Sequence, residues 1–289
     1  MQNFDLVLEP VTLKVVKEDA DRVLWDIVLV GVGGTGGYIL QSLMRVLKNF
    51  GCKGMLTLVD GDEIEAKNLT RQNFIEPDVG KRKVDVLASR YGNVYDMDIR
   101  CVSIYAESLE AMERLFSLRY DYDHYSPKRV ERILIGAVDN NKSRQLFHEF
   151  FNASKNLTYI DAGNDGVLPV SGDVTEEDCN ESGYSGQVVC GLRCDGKTVL
   201  PPVGEVYPDI LEQGVNDFFP SQACGRTVVS YPQRMQTNLL AANVVLGFLN
   251  TLLAEGVLTS HYVNFNARNN IMRPSYITKD MISVNVGTV

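Results

Sequence analysis

Ile27-Val28-Leu29-Val30-Gly31-Val32-Gly33-Gly34-Thr35-Gly36-Gly37 is the stretch that decides the fold. Four consecutive apolar residues read as a strand buried on both faces, and the glycine run that follows reads as a tight turn into a helix. Over 36–49, Ile39, Leu40, Leu43, Val46 and Leu47 are spaced for one buried helix face. Gly31, Gly33 and Gly36 fit G-x-G-x-x-G. At such a loop the missing side chains let backbone N–H groups and the helix N-terminus approach a phosphate. By itself the pattern selects no particular nucleotide.

Working outward, the alternation of elements continues. Residues 56–59 read as a second strand, 79–91 as a helix, 100–104 as a third strand and 108–118 as a helix. The segment 119–129 is rich in Tyr, Asp and basic residues and reads as a surface loop. Strand, helix and strand follow at 132–138, 141–154 and 157–162. This order predicts an α/β fold: a Rossmann-like, doubly wound, mostly parallel sheet with helices on both faces. Residues 6–16 alternate like a strand, which adds a small amino-terminal hairpin or edge strand. From 163 to 225 Gly, Pro, Cys and acidic residues dominate, predicting short strands and a long crossover loop of functional character. Helical spacing returns at 236–255 and a late strand at 262–266. The expected division is an amino-terminal extension (1–25), a nucleotide-binding core (26–165), a crossover and substrate region (166–235) and a carboxy-terminal helix and strand (236–289).

Composition narrows the partners. The chain has 289 residues, 45% of them hydrophobic, enough for a sizeable core. Its net charge of -9 leaves no broad basic face, so nucleic acid is not expected as the main partner. No basic start followed by an apolar core marks a signal peptide, and no apolar run reads as a membrane span. A cytoplasmic protein is expected, with its six cysteines reduced.

The residues after the second strand point to phosphate chemistry. Asp60 lies 24 positions beyond Gly36, where a ribose-binding carboxylate belongs. The alternative for Asp60-Gly61-Asp62-Glu63 is a solvated turn. Asn68, Arg71, Gln72, Lys81, Arg82 and Lys83 follow closely. Arginine can clamp a triphosphate through paired hydrogen bonds, and lysine can neutralise charge on departing pyrophosphate. Lys81 and Arg82 fit a solvated helix face equally well. A nicotinamide-dependent oxidoreductase would use the glycines and Asp60 but would leave Arg71 and Lys83 without a task.

Four segments beyond the glycine loop carry a family resemblance. Leu58-Val59-Asp60-Gly61-Asp62, Asn68-Leu69-Thr70-Arg71-Gln72-Asn73-Phe74 and Asp78-Val79-Gly80-Lys81-Arg82-Lys83 resemble the ubiquitin-activating enzyme / ThiF / MoeB superfamily, as does Ala137-Val138-Asp139-Asn140-Asn141. The likeness covers residues 26–165, with a looser match from Cys224 to the late strand. It implies an ATP- and Mg²⁺-dependent adenylyltransferase acting on the C-terminal carboxylate of a ubiquitin-fold protein, a sulfur-carrier protein or a precursor peptide, and a homodimer. Carried onto this sequence, it implies that Gly31, Gly33, Gly34 and Gly36 line the phosphates and that Asp60 holds the ribose with Asp62 beside it. Asn68, Arg71, Gln72 and Lys83 would grip the triphosphate, and Asp139 would hold Mg²⁺. Asn140 can cap the following helix while Asp139 faces the nucleotide.

Departures from the family pattern are equally specific. Many members hold zinc with two Cys-x-x-Cys pairs, whereas here the candidate set is Cys179, Cys190, Cys194 and Cys224, with one close pair spaced Cys-x-x-x-Cys. Cys224, near Arg226, is a candidate thioester nucleophile or a small buried residue at the helix entrance. Cys190 and Cys194 are rival nucleophiles, and an enzyme that stops at adenylation needs none. The family's amino-terminal Arg-Tyr-x-Arg-Gln segment has no counterpart, Arg22 being the sole arginine upstream of the glycine loop. A non-catalytic partner subunit of a heterodimer remains an alternative, although its phosphate-gripping residues would then be free to decay.

Overall fold

The computed structural model of the chain describes residues 10–16, 22–116, 129–169, 172–212, 218–223 and 232–286. The first half runs β1 (Leu13–Lys14), β2 (Val23–Val30), α1 (Gly34–Asn49), β3 (Gly54–Val59), α2 (Lys83–Tyr95), β4 (Ile99–Val102) and α3 (Leu109–Leu115). It continues with β5 (Arg129–Gly136), α4 (Asn141–Ala153) and β6 (Leu157–Asn164). The second half contains α5 (Glu176–Glu181), β7 (Ser185–Cys194), β8 (Lys197–Leu200), α6 (Val203–Val206) and α7 (Met235–Glu255). It closes with β9 (Val257–Leu258), β10 (Ser260–Asn266), β11 (Ile271–Tyr276) and α8 (Lys279–Val286).

The main sheet has the order β11-β10-β7-β6-β5-β2-β3-β4, with β8 paired to β7. From β6 to β4 all neighbours are parallel, while β7, β10 and β11 continue the sheet antiparallel. β1 and β9 form a separate two-stranded antiparallel sheet, which answers the strand-like pattern expected of residues 6–16; residues 6–9 of that stretch lie outside the described residues. The expected α/β architecture is therefore present, with an antiparallel extension.

β2 shows how the sequence produces the layers. Its side chains alternate between faces: Ile27 and Leu29 join α1, α2 and α7 in one core, whereas Val28 and Val30 join α3 and α4 in the other. A strand flanked by β3 and β5 and covered on both faces has no solvated side, hence its unbroken apolar run. The chain lays β3 and β4 on one side of β2, then returns to lay β5 and β6 on the other. That reversal opens a crevice at the C-terminal ends of β2 and β5.

Several elements differ from the sequence-based expectation. α2 begins at Lys83 rather than at residue 79, because Gly80 adopts φ +82° and residues 80–83 hydrogen-bond back to Asp62 and Ile64. Within 163–225, β7 is a ten-residue interior strand where short strands and loop were expected. Its glycines serve close packing: a Cβ on Gly191 would lie 2.9 Å from Pro202 Cα, and one on Gly186 would lie 2.4 Å from the Phe265 ring. The loop expected at 119–129 falls almost wholly outside the described residues. The expectation that no segment could span a bilayer also needs correction, since α7, at 21 residues, is long and apolar enough by length and composition. Core packing accounts for that character: Ala241, Val245, Leu249 and Leu252 are all buried against the sheet and α1.

Candidate nucleotide site

The crevice holds a cleft, open to solvent, lined at the ends of four parallel strands. Val30 and Gly31 end β2, Val59 and Asp60 end β3, Ala137 to Asn140 follow β5, and Ala162 belongs to β6. α1, α2 and α4 start at Gly34, Lys83 and Asn141, so three helix N-termini gather around it. Their unpaired N–H groups and aligned dipoles favour an anion.

The glycine loop is built for close approach. Gly31 has φ +83°, and a Cβ on Gly36 would lie 1.8 Å from the Gly31 carbonyl oxygen, so the turn closes only without side chains. Asp60 staples this loop. Its Oδ2 accepts the Val32 N–H at 2.9 Å and its Oδ1 accepts the Asp62 N–H at 2.9 Å. Burial, reinforced by the charge of Asp62, pushes the Asp60 carboxyl above the usual value, against the pull of Lys83 and the two N–H groups.

Asp62 takes the opposite shift. Lys83 Nζ donates to Asp62 Oδ2 at 2.7 Å, and the Tyr105 hydroxyl donates to Asp62 Oδ1. Burial raises the Asp62 carboxyl, but the Lys83 charge and these hydrogen bonds outweigh it and hold the group below its ordinary value. Burial and the bond to Asp62 raise the Tyr105 phenol, which keeps it a neutral donor. The Tyr105 ring lies against the backbone of Gly61, where a Cβ would come within 2.7 Å of it.

Arg71 and Gln72 enter the cleft from a turn organised by Asn68. Asn68 itself is buried and is not among the lining residues. Its Oδ1 accepts the Glu65 N–H at 2.9 Å, and its carbonyl accepts the N–H groups of Arg71 and Gln72 at 3.2 and 2.9 Å. Gln72 Oε1 is buried in the cleft wall with no hydrogen-bond partner. A glycine cradle with Arg71 and Lys83 lining the same cleft fits a polyphosphate ligand, whereas the orphaned Gln72 oxygen, an acceptor, calls for an N–H or O–H donor.

Asp139 is exposed at the mouth of α4 and lines the same cleft. Asn140 caps α4, accepting the Ser143 N–H on its Oδ1 at 2.8 Å. An exposed carboxylate next to a polyphosphate cradle is a hard oxygen donor suited to Mg²⁺. Pro220 also lines the cleft, and Ser221 donates its N–H and hydroxyl to Glu107 at 3.0 and 2.5 Å. Phe219 lies 5.6 Å from the Lys142 ammonium.

Two buried networks were not foreseen from the sequence. Under the glycine loop, Thr35 donates to Asn238 Oδ1 at 3.2 Å, and Asn164 Nδ2 donates to both Thr35 and Asn238 at 2.9 and 3.0 Å. Under Asp139, Arg144 pairs with Asp161, whose other oxygen accepts the Tyr159 hydroxyl at 2.8 Å. Burial acts to lower the Arg144 value, but the charge of Asp161, the hydrogen bond to it and the charge of Asp139 outweigh it and keep the guanidinium charged. Polar residues at buried helix and strand positions carry no sequence signal beyond their break in apolar periodicity.

The cysteine expectations fare differently. Cys190 and Cys194 lie on one strand, four positions apart, about 13 Å along an extended chain. Two thiolates on one zinc lie within about 4 Å of each other, since each Zn–S bond is about 2.3 Å, so these two cannot share a metal. Among the described residues no group of three or more His, Cys, Asp or Glu is placed to hold a metal ion. Cys190 is fully buried, and burial pushes its thiol far up, which also disqualifies it as a nucleophile. Cys224 and Arg226 lie outside the described residues.

Comparison with known proteins places the fold. The ThiF family matches residues 16–278. No curated protein matches the chain. Among solved structures, PaaA in selenomethionine form is similar with a TM-score of 0.56 and 16% identity, over 89% of this chain and 64% of that one. E. coli MccB with ATP gives a TM-score of 0.56 and 15% identity, over 90% of this chain and 64% of that one. The microcin C7 biosynthetic enzyme MccB in complex with N-formylated MccA gives 0.56 and 16%, over 87% and 64%. At such identities the likeness is one of fold, and the chain spans about 64% of the length of these proteins.

Proposed function

Because the chain belongs to the ThiF family, matched over residues 16–278, we propose that it is an ATP-dependent adenylyltransferase that activates the C-terminal carboxylate of a peptide or small carrier protein. The observation that carries this reading is the convergence of the glycine loop, Arg71, Lys83 and Asp139 on one cleft. A hydride-transfer site needs only the glycines and the acidic residue after β3, and it gives Arg71 and Asp139 no task; cleavage of a polyphosphate employs both, together with Lys83.

In this reading the triphosphate lies over Gly31 to Thr35, with α1 directing its N-terminal N–H groups at the phosphates. The ribose lies towards Asp60 and Asp62. A carboxylate oxygen of the substrate attacks the α-phosphorus; that O–P bond forms while the bond from the α-phosphorus to the α,β-bridging oxygen breaks, releasing pyrophosphate. Arg71 and Lys83 stabilise the charge that builds on the leaving group, an effect that is strong in a site screened from water. Bound Mg²⁺, held by Asp139, would supply Lewis-acid neutralisation of phosphate oxygens. The nucleophile arrives ionised, so the chain need supply no general base. Asp60 and Thr35 keep the loop in its phosphate-binding shape.

The fold likeness to a protein crystallised with ATP, and to one crystallised with N-formylated MccA, supports a nucleotide beside a second partner. ATP–pyrophosphate exchange tests the reading. Exchange that depends on a carboxyl-terminal partner and is abolished by Asp139→Ala and by Arg71→Ala is expected. Tight binding of a nicotinamide dinucleotide, with no exchange for any partner, would replace it with the oxidoreductase.

A further inference from the structure

Asp139 reaches the cleft from a short turn, Ala137 to Asn140, between β5 and α4. What fixes that turn is one buried side chain on the first turns of α4. Arg144 Nη2 donates to the Val138 carbonyl at 2.7 Å and lies 3.4 Å from the Ala162 carbonyl, while Nη1 reaches Asn141 Oδ1 at 3.3 Å and Nε reaches Asp161 Oδ1 at 3.0 Å. The guanidinium therefore ties the end of β5 to the end of β6 directly behind the residue that precedes Asp139.

The clamp is itself held from behind. The side chains of Arg144 and Asp161 are 10% and 1% exposed, and Tyr159, wholly buried, donates to the second oxygen of Asp161. Gly136 completes the fit, since a Cβ there would lie 2.9 Å from Asp161 Oδ2. A planar fork with several fixed donors is required to meet this many acceptors at once, and a lysine ammonium on a flexible stem cannot reproduce it. Arg144 does not line the cleft.

We propose that Arg144 is a positioning residue for the metal–nucleotide site, acting through the Val138 carbonyl to aim the Asp139 carboxylate. This rests on the adenylation reading, in which Asp139 serves Mg²⁺·ATP. Asn140 secures the turn from its other side by capping α4, so the peptide carrying Asp139 is held between two fixed points. Loosening one of them lets the carboxylate wander, and a metal ligand misplaced by an ångström loses most of its value.

The test compares wild type, Arg144→Lys, Asp139→Ala and the double variant by calorimetric ATP binding, with Mg²⁺ and with EDTA. Arg144→Lys keeps a positive charge beside Asp161 and is the milder replacement. The expected result is EDTA-measured affinity within about twofold of wild type, with the Mg²⁺-dependent gain in affinity reduced about tenfold, within the range seen when outer-shell partners of a metal ligand are removed. The double variant should be no worse than Asp139→Ala alone, because both substitutions remove one function. An unchanged Mg²⁺ gain in Arg144→Lys, or losses that multiply in the double variant, would overturn the proposal. Should Arg144→Lys fail to fold, Tyr159→Phe carries the test by loosening Asp161: a gain reduced about two- to threefold supports the proposal, and a full gain overturns it. Wild type that binds ATP equally well with Mg²⁺ and with EDTA would instead overturn the reading of Asp139 itself, and this inference with it.

Discussion

Lys83 Nζ lies 2.7 Å from Asp62 Oδ2, with the lysine side chain 6% exposed and the aspartate 45%. The pair sits on the cleft wall, so the ammonium is buried in its stem, fixed at its head by a carboxylate, and directed at the space a polyphosphate would occupy. A cation held this way is already organised before charge develops on a leaving group, which is where such groups act most strongly.

Lys83→Ala should lower the turnover of the exchange reaction about 100-fold, the usual cost of removing one preorganised donor. Lys83→Arg should recover part of it. Steady-state exchange kinetics with saturating ATP check both, and a change confined to KM would assign Lys83 to ground-state binding alone.

Gly36→Ala should abolish nucleotide binding, because the added methyl would lie 1.8 Å from the Gly31 carbonyl oxygen, a backbone atom with nowhere to go. Overpacking of this kind destabilises by about 1–3 kcal/mol or more. Gly51→Ala is the contrasting control: space around it is open, and only its φ of +61° opposes the change. Chemical denaturation and ATP titration of both variants separate the two effects.

Asp161→Ala should destabilise the fold by about 3–5 kcal/mol, since it leaves the Arg144 guanidinium buried without its counter-ion. The double change Arg144→Met with Asp161→Ala should recover part of that loss, because no charge then remains unpaired. Urea unfolding curves measure both.

Acid unfolding should report Asp78. Its carboxylate is shielded from solvent, which by itself raises the group; the Ile75 N–H at 2.9 Å and Arg90 at 2.5 Å outweigh this and hold it below its ordinary value. A carboxyl depressed in the folded state stabilises the fold fully above its unfolded value of about 3.9, and this stabilisation is lost as pH falls through the lower folded value. Asp78→Asn should therefore be less stable than wild type at pH 7, and the gap should close below about pH 4. Urea midpoints at a series of pH values test the sign.

How much of this was legible beforehand follows from where information sits in a sequence. The β2–loop–α1 unit declared itself because its apolar runs have the period of their element and its glycines sit where only glycine fits. Asp60 could be named from its distance beyond the glycines, Arg71, Gln72 and Lys83 because they follow it closely, and Asp139 from the family resemblance of its segment, and the fold brings all of them to one cleft. Asn68 carried the same spacing yet stands behind the wall, holding the turn that presents Arg71 and Gln72. β7 was misread because Gly186, Gly191 and two cysteines look like loop, although the glycines are there to admit Phe265 and Pro202. Arg144, Asp161, Thr35, Asn164 and Asn238 were invisible for a further reason: their partners lie at strand and helix ends up to 203 residues away, and only the folded sheet brings them together.

The most direct test of the central claim follows one oxygen atom. The peptide or carrier protein that supports exchange is prepared with ¹⁸O in its C-terminal carboxylate and turned over with unlabelled ATP and an excess of an acyl acceptor. Attack by the carboxylate on the α-phosphorus predicts AMP carrying one ¹⁸O per turnover and unlabelled pyrophosphate, with no transfer in Asp139→Ala. Label appearing in inorganic phosphate alongside ADP, or AMP formed without label, would contradict it.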